Sequence, residues 1–424
     1  MSKGEVTFKD VQASYDDALL LADRSYIKVV AATVLANQME GSPVWVMLVA
    51  PSSGSKTAVL LTLDGLEFLP GKRVAFFISD LTENTLASGF KSGSGEASLL
   101  KQVPFGGMFI FKDFTSLLTK RHEARDAIMG QLREVYDRKF DKKTGNNQDV
   151  SWTGKVGALA GVTTAVHEYM ATMSVMGDRF IMYTIVQPDR MKLLNFIMEM
   201  KVKGESQDKK LGLAKILMHT YLKRCIQRIK GCRLYMKEED REHLMLVADF
   251  ATKVRSGVII DDRTKKVQFV PDAEMPTRLI EQLLSIGTVL SHMKEVDGFQ
   301  PDLDDSDMAL LYKMAFDSIP IKRRWALREL ASYYQGATTA GLATKIGYET
   351  EVVGQWMAQL NALGICNRMK STGRGDTWTL NEEYRHIMVT FENVKAQEGV
   401  LIADNITEEE ALADEALRDN FDSF

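Results

Sequence analysis

The 424-residue sequence predicts an α/β domain with a parallel sheet, then an all-helical domain, then a small helix-and-hairpin module and an acidic end. Three observations lead there. Short, continuous apolar runs alternate with helical periodicity over the first half; long helical stretches follow Pro188; and two short helices precede a hairpin near residue 365. A chain this long exceeds what one core usually organises.

In order, Tyr26 to Met39 is an apolar, helix-biased run that ends at the breaker cluster Gly41-Ser-Pro43. Residues 1–40 are therefore expected as a helical segment packed on the next domain. Val44-Trp-Val-Met-Leu-Val-Ala50 has the length and β-branched content of a strand covered on both faces. Val74 to Ser79, Met108 to Phe111, Val156 to Val162 and Phe180 to Ile185 read the same way, and Glu123 to Phe140 reads as a helix between them. Strands alternating with helices imply a doubly wound α/β domain over 41–188. Leu211 to Lys230, Glu239 to Val254 and Thr277 to Lys294 make 189–306 an all-helical domain. From 307 to 390, Arg324 to Tyr334, Thr339 to Gly347 and Glu351 to Leu363 are helical, and Ile365 to Leu380 is a hairpin tipped by Ser371-Thr-Gly-Arg-Gly-Asp376. That order is a winged helix-turn-helix.

Composition is that of a globular protein: 45% hydrophobic, 26% charged, with 30 Gly and 9 Pro. The formal charge of −4 is uneven. From Glu398 to Phe424 nine acids face Arg418 alone, a net of −8, so residues 1–397 carry +4. A mildly basic body tolerates a nucleic-acid partner without demanding one. The tail, 391–424 with its acids interleaved by Leu, Ile and Phe, is too acidic to fold alone. Three scattered cysteines and six histidines indicate neither a disulfide framework nor a zinc site, which suits a reducing cytoplasm. No run approaches a membrane span and the N-terminus lacks a signal-peptide core, so a soluble protein is expected.

The sharpest motif is Ala50-Pro-Ser-Ser-Gly-Ser-Lys-Thr57, between the first strand and a helix. A phosphate-binding loop needs a compact turn whose N–H groups curl around phosphate oxygens, a Lys for the β- and γ-phosphates, and Ser or Thr for Mg2+. Ser52, Ser53, Gly54, Ser55, Lys56 and Thr57 supply these for ATP, although Ala50 and Ser55 stand where GxxxxGK[ST] has glycine. Otherwise the segment is a strand-to-helix loop that carries Lys-Thr. An ATPase also needs a strand-end acid for the magnesium and a carboxylate to orient the attacking water. Met108-Phe-Ile-Phe-Lys-Asp-Phe114 offers Asp113 alone, either as catalytic carboxylate or as magnesium acid; Asp80 and Glu83 are the spare carboxylates. Asp113 as a plain turn cap is the bland alternative.

Past this point the sequence resembles the AAA+ P-loop ATPases, specifically the phage and mobile-element branch distantly similar to minichromosome-maintenance helicases. The resemblance covers about residues 15 to 390 and rests also on Gln131-Leu-Arg-Glu-Val-Tyr-Asp137, Trp152 to Thr163, Met176-Gly-Asp-Arg-Phe180 and Glu274-Met-Pro-Thr-Arg278. It implies an AAA+ core, a helical lid and a C-terminal winged helix. It also implies roles: Thr163 feels the γ-phosphate, Arg179 reaches a neighbouring subunit's nucleotide, and Arg278 lets the lid sense nucleotide, with Arg255 a poorer candidate. A finger acting in trans requires a homo-oligomeric ring, by family habit a hexamer, in the cytoplasm of a bacterial host. Lys91 to Gly95 is Gly-rich enough to line a pore.

The hairpin offers Arg368, Lys370 and Arg374 to DNA phosphates, with Lys345 and Arg385 nearby, whereas the preceding helix is poor in cations. Protein docking or a structural role is the alternative for this module. The tail resembles those that recruit replication proteins or compete with DNA; a solubilising end is its bland alternative. The expected function is ATP-driven DNA remodelling by a helicase or helicase loader. Its rival is a nucleotide-switched DNA-binding regulator or scaffold with little or no hydrolysis.

Overall fold

A computed structural model describes residues 5–82, 85–86, 91–92, 95–96, 98–143, 150–169, 179–229, 231–261, 263–370 and 375–397. Five strands, β1 (Trp45–Val49), β2 (Ala75–Ile78), β3 (Gly107–Phe111), β4 (Val156–Val162) and β5 (Phe180–Thr184), form one sheet in the order β5-β1-β4-β3-β2. All four pairings are parallel. Trp45 lies beside both Ala158 and Phe180, and Val49 beside Val162 and Thr184. β4, late in sequence, is thus threaded between β1 and β3.

These strands are apolar throughout because both faces are covered. On one face Trp45, Met47, Val49, Phe109, Phe111, Ala158, Ala160 and Phe180 share a core with Ile128, Leu132, Val135 and Tyr136 of a long helix, His122–Tyr136. Alternate residues Val46, Leu48, Leu159, Ile181 and Tyr183 are equally buried and belong to the other face. The longer helices are α1 (Phe8–Ala18), α2 (Ser25–Ala36), α3 (Lys56–Leu61), α4 (His122–Tyr136), α5 (Arg190–Val202), α6 (Gln207–Arg228), α7 (Glu238–Arg255), α8 (Thr277–Val296) and α9 (Asp305–Asp317). α2 is buried almost all round, as its unbroken apolar run requires. Lys155 closes it: its buried ammonium donates to the carbonyls of Ala36 (3.2 Å) and Met39 (2.7 Å).

Two local expectations change. The helix expected to reach Phe140 stops at Tyr136, because Arg138 takes a positive φ of 68° and Phe140 enters a ribbon pairing 139–142 with 150–153. The helix Asp305–Asp317 does not open the third domain; it docks on β5. Its Asp317 carboxylate accepts from Thr184 N (2.8 Å) and the Ser318 hydroxyl from Met182 N (3.0 Å). Those side chains occupy backbone donors of an edge strand that would otherwise be open.

The chain divides into two compact units. The first joins 1–257 with 271–320, so the helices from 190 to 257 and from 277 to 317 share a unit with the sheet; the second joins 258–270 with 321–424. In the second, β6 (Ile259–Ile260) and β7 (Val267–Phe269) form a hairpin. Helices α10 (Ile321–Ala331), α11 (Thr339–Ile346) and α12 (Thr350–Ala362) accompany an antiparallel sheet of β8 (Ala337–Thr338), β10 (Thr377–Leu380) and β9 (Cys366–Met369), in that order, and α13 (Glu382–Gln397) follows. α11 is capped by the Thr338 hydroxyl, which accepts from Gly341 N (3.1 Å), and ends at Gly347 with φ 83°.

Candidate functional site at the carboxyl ends of the strands

The turn from Ala50 to Ser55 leaves β1 and enters α3, a helix of six residues. Gly54 is buried, and a Cβ there would lie 2.8 Å from Gln187 Oε1 and 2.9 Å from the Pro51 carbonyl. Only glycine fits without displacing backbone. Ser53 and Ser55 take φ of 64° and 60°, a left-handed conformation that costs a non-glycine residue roughly 1–2 kcal/mol. Local bonds hold Ser55 there: its hydroxyl donates to the Gly54 carbonyl (2.7 Å) and lies 2.9 Å from the Tyr26 hydroxyl.

Lys56 points into the turn. Its ammonium donates to the carbonyls of Ala50 and Pro51, the latter at 2.7 Å. The residue is buried, and burial brings its pKa down to about 8, against the opposing pull of the Asp113 carboxylate. Thr57 and Ser52 are exposed.

Two neighbouring strands end beside this turn. Asp113, two residues past β3, is exposed, and its carboxylate accepts from Thr115 N at 3.0 Å, a cap on the following turn. Thr115 Oγ1 accepts in turn from Thr163 N (3.0 Å) and lies 3.3 Å from Thr163 Oγ1. Because β4 sits between β1 and β3, Thr163 falls between Lys56 and Asp113. Asp80 is not part of this group. It follows β2, three strands from β1 and so roughly 14 Å across the sheet, exposed and paired with Lys120 (2.8 Å), whose hydrogen bond lowers its pKa. Glu83 lies outside the described residues.

Arg179 and Arg278 meet at the other end of the sheet. Phe180 pairs with Trp45 at the start of β1, so Arg179 is a full strand length, roughly 16 Å, from the turn in its own chain. Its guanidinium donates to the Asp137 carboxylate (3.3 Å) and stands 5.9 Å from the Tyr136 ring centroid. Arg278 stands 5.9 Å from the same ring and donates to Glu274 (2.7 Å), which also accepts from the buried Arg255 (3.0 Å). Burial lowers the pKa of Arg179, and repulsion from Arg278 adds to it. The arginine expected to sense nucleotide from the lid thus lies beside the one expected to reach a neighbour.

Sequence reasoning missed Tyr136, Thr115, Gln187 and Tyr26. Tyr136 falls on the apolar stripe of α4 and reads as core; Thr115 and Gln187 are loop residues with no local pattern. Among the cations of the second unit, Arg368 pairs with Asp376 and stacks 5.3 Å from the Trp378 ring. Lys370 is exposed, Arg385 pairs with Glu382 (3.0 Å), and Arg374 lies outside the described residues. The acidic tail from Glu398 and residues 93–94 of the Gly-rich loop also lie outside them.

No protein-family model matches the chain, and no curated protein does. Among solved structures, the chain is similar over 24% of its length to 77% of a protein described as "transcriptional regulator PA3341", at 20% identity and a TM-score of 0.17, a likeness too slight to carry an argument. Among the described residues no helix is long and apolar enough to cross a membrane.

Proposed function

We propose that the chain is an ATPase of the AAA+ P-loop class that assembles into a ring and couples ATP binding and hydrolysis to remodelling of DNA, as a helicase or helicase loader in the replication or recombination of a phage or mobile element. The observation that carries the reading is the turn after β1. A buried glycine without room for a Cβ is followed by a lysine whose ammonium is held by two loop carbonyls, with Asp113 and Thr163 at the ends of the two nearest inner strands.

The residues fit a nucleotide with magnesium. Magnesium is normally held by one or two protein oxygens together with phosphate oxygens, and Thr57 and Asp113 offer those oxygens. When bound with ATP, magnesium neutralises charge on the β- and γ-phosphates. With ATP bound, Lys56 would give up its two carbonyl partners to hold phosphate oxygens, and the Thr163 hydroxyl would be the group that meets the γ-phosphate. Asp113, which keeps one carboxylate oxygen on Thr115 N, has the other for the magnesium or for the attacking water. Arg179, and with it Arg278, serves the nucleotide of a neighbouring copy, because both lie a strand length from their own Lys56. The second unit reads as a winged helix that meets DNA through Arg368, Lys370 and Arg374, and the acidic tail as a recruiter of a replication partner.

A second reading is a nucleotide-switched regulator or scaffold. It is favoured by Asp113 being, among the described residues, the acid at these strand ends while Asp80 is engaged by Lys120 three strands away. ATP turnover with and without single- and double-stranded DNA, on wild type and Lys56→Ala, separates the two. Turnover that depends on Lys56 and rises with DNA supports the motor; nucleotide binding without turnover leaves the switch.

A further inference from the structure

The turn after β1 departs from the phosphate-loop pattern at Ser55, which takes a φ of 60° where that pattern has glycine. Glycine reaches the left-handed region freely; serine reaches it at a cost, so something must hold it there. Ser55 immediately precedes Lys56, and its backbone angles set the direction in which Lys56 leaves the turn.

The order of protons around Ser55 follows from its partners. Its single hydroxyl proton goes to the Gly54 carbonyl (2.7 Å), so the Tyr26 hydroxyl, 2.9 Å away, is the donor to Ser55 Oγ. The chain of bonds runs one way, from Tyr26 through Ser55 to the carbonyl of Gly54. Tyr26 is fully buried, so its hydroxyl has no water to turn to, and Ser55 satisfies it.

Tyr26 is itself fixed from behind. It lies in the first turn of α2, where Ser25 N donates to the Asp23 carboxylate (2.9 Å), and that carboxylate also accepts from the Tyr183 hydroxyl of β5 (2.9 Å). The far end of α3 is held in the same manner. The Thr62 hydroxyl donates to the Val59 carbonyl (2.6 Å), which leaves Tyr15 of α1 to donate to Thr62. Two tyrosines of the first two helices therefore grip the turn and the helix that carry Lys56.

We infer that Tyr26 is a positioning residue for the phosphate-binding turn: by donating to Ser55 it holds a left-handed serine where glycine would need no help, and so keeps Lys56 aimed into the turn. The role toward phosphate rests on reading the turn as a nucleotide site; the hold on Ser55 does not.

The test is a double-mutant cycle on the full chain with Tyr26→Phe and Ser55→Gly. Two quantities are measured: affinity for a fluorescent ATP analogue with magnesium, and hydrogen–deuterium exchange of the amides from Gly54 to Val59 without nucleotide. Tyr26→Phe in the otherwise wild-type chain is expected to weaken affinity about tenfold and to speed exchange of those amides by a similar factor, with circular dichroism unchanged. Added to Ser55→Gly, it is expected to change either quantity by less than about twofold, because glycine takes the left-handed conformation unaided. Equal losses in both backgrounds, the mark of a merely structural tyrosine, would overturn the inference. So would an analogue affinity or a turn exchange that Tyr26→Phe leaves at the wild-type value. A wild type that binds no analogue, while exchange shows the coupling, overturns the nucleotide reading and leaves Tyr26 as the residue that positions Lys56.

Discussion

At the carboxyl ends of β1, β3 and β4 the side chains are small, polar and partly open: Gly54, Ser55, Thr57, Asp113 and Thr163, with one buried cation, Lys56. At the amino ends of β1 and β5 they are large and mutually engaged: Arg179 and Arg278 on the Tyr136 ring, held by Asp137 and Glu274. One end has exposed hydroxyls and an ammonium held only by loop carbonyls; the other has cations already stacked and paired with carboxylates. Parallel strands of one chain keep these ends a strand length apart, so no side-chain rotation joins them. If both serve one reaction, the joining is between copies.

The largest expected effect breaks the first end. Lys56→Ala removes the ammonium aimed into the turn, and ATP turnover should drop to background with loss of nucleotide binding, read by a phosphate-release assay and a fluorescent ATP analogue. Next, Arg179→Ala should lower turnover by about 10³-fold or more while leaving analogue affinity unchanged. Mixing it with Lys56→Ala should restore part of the activity, because a mixed ring contains an intact pair; a mixture as inactive as its parents would show that the two ends do not cooperate across copies.

A smaller effect sharpens the chemistry of Lys56. Its free pKa is down at about 8 because it is buried, and phosphate contacts require the protonated form. Phosphate binding raises the pKa, so affinity should be flat below that value. As pH rises through about 8 it should fall, by up to about tenfold per unit. Lys56→Arg stays protonated and should abolish the fall. Gly54→Ala should cost about 1–3 kcal/mol of stability, seen as a lower Tm, because its methyl meets Gln187 and the Pro51 carbonyl. The smallest effect belongs to the second unit: Lys370→Ala should weaken DNA binding evenly across sequences and reduce the salt slope by about one.

Much of the fold was legible because its elements are locally encoded. Runs such as Val156 to Val162 have the length and apolar content of buried strands, and the apolar run of α2 is long enough for a buried helix. The reach of α4 was not legible, since the positive φ of Arg138 and the ribbon that pairs Phe140 with Trp152 depend on a partner strand twelve residues beyond Phe140. Nor was the place of Asp305–Asp317, whose Asp317 and Ser318 look like ordinary helix-end polar residues until an edge strand presents its N–H groups. At the site, Lys56, Thr57 and Gly54 carry a local signature, whereas Thr115, Gln187 and Tyr136 matter only through what they touch.

The amino-acid order alone determined that a strand, a tight glycine turn and a lysine follow one another, because each is a property of neighbouring residues. Only the tertiary structure decided that β4 inserts between β1 and β3, bringing Thr163 between Lys56 and Asp113, and that Asp80 is left three strands away. It also decided that Arg278 shares a ring with Arg179 instead of facing its own chain's turn. Strand order in a parallel sheet is set by which crossovers pack, a non-local choice that no window of sequence contains.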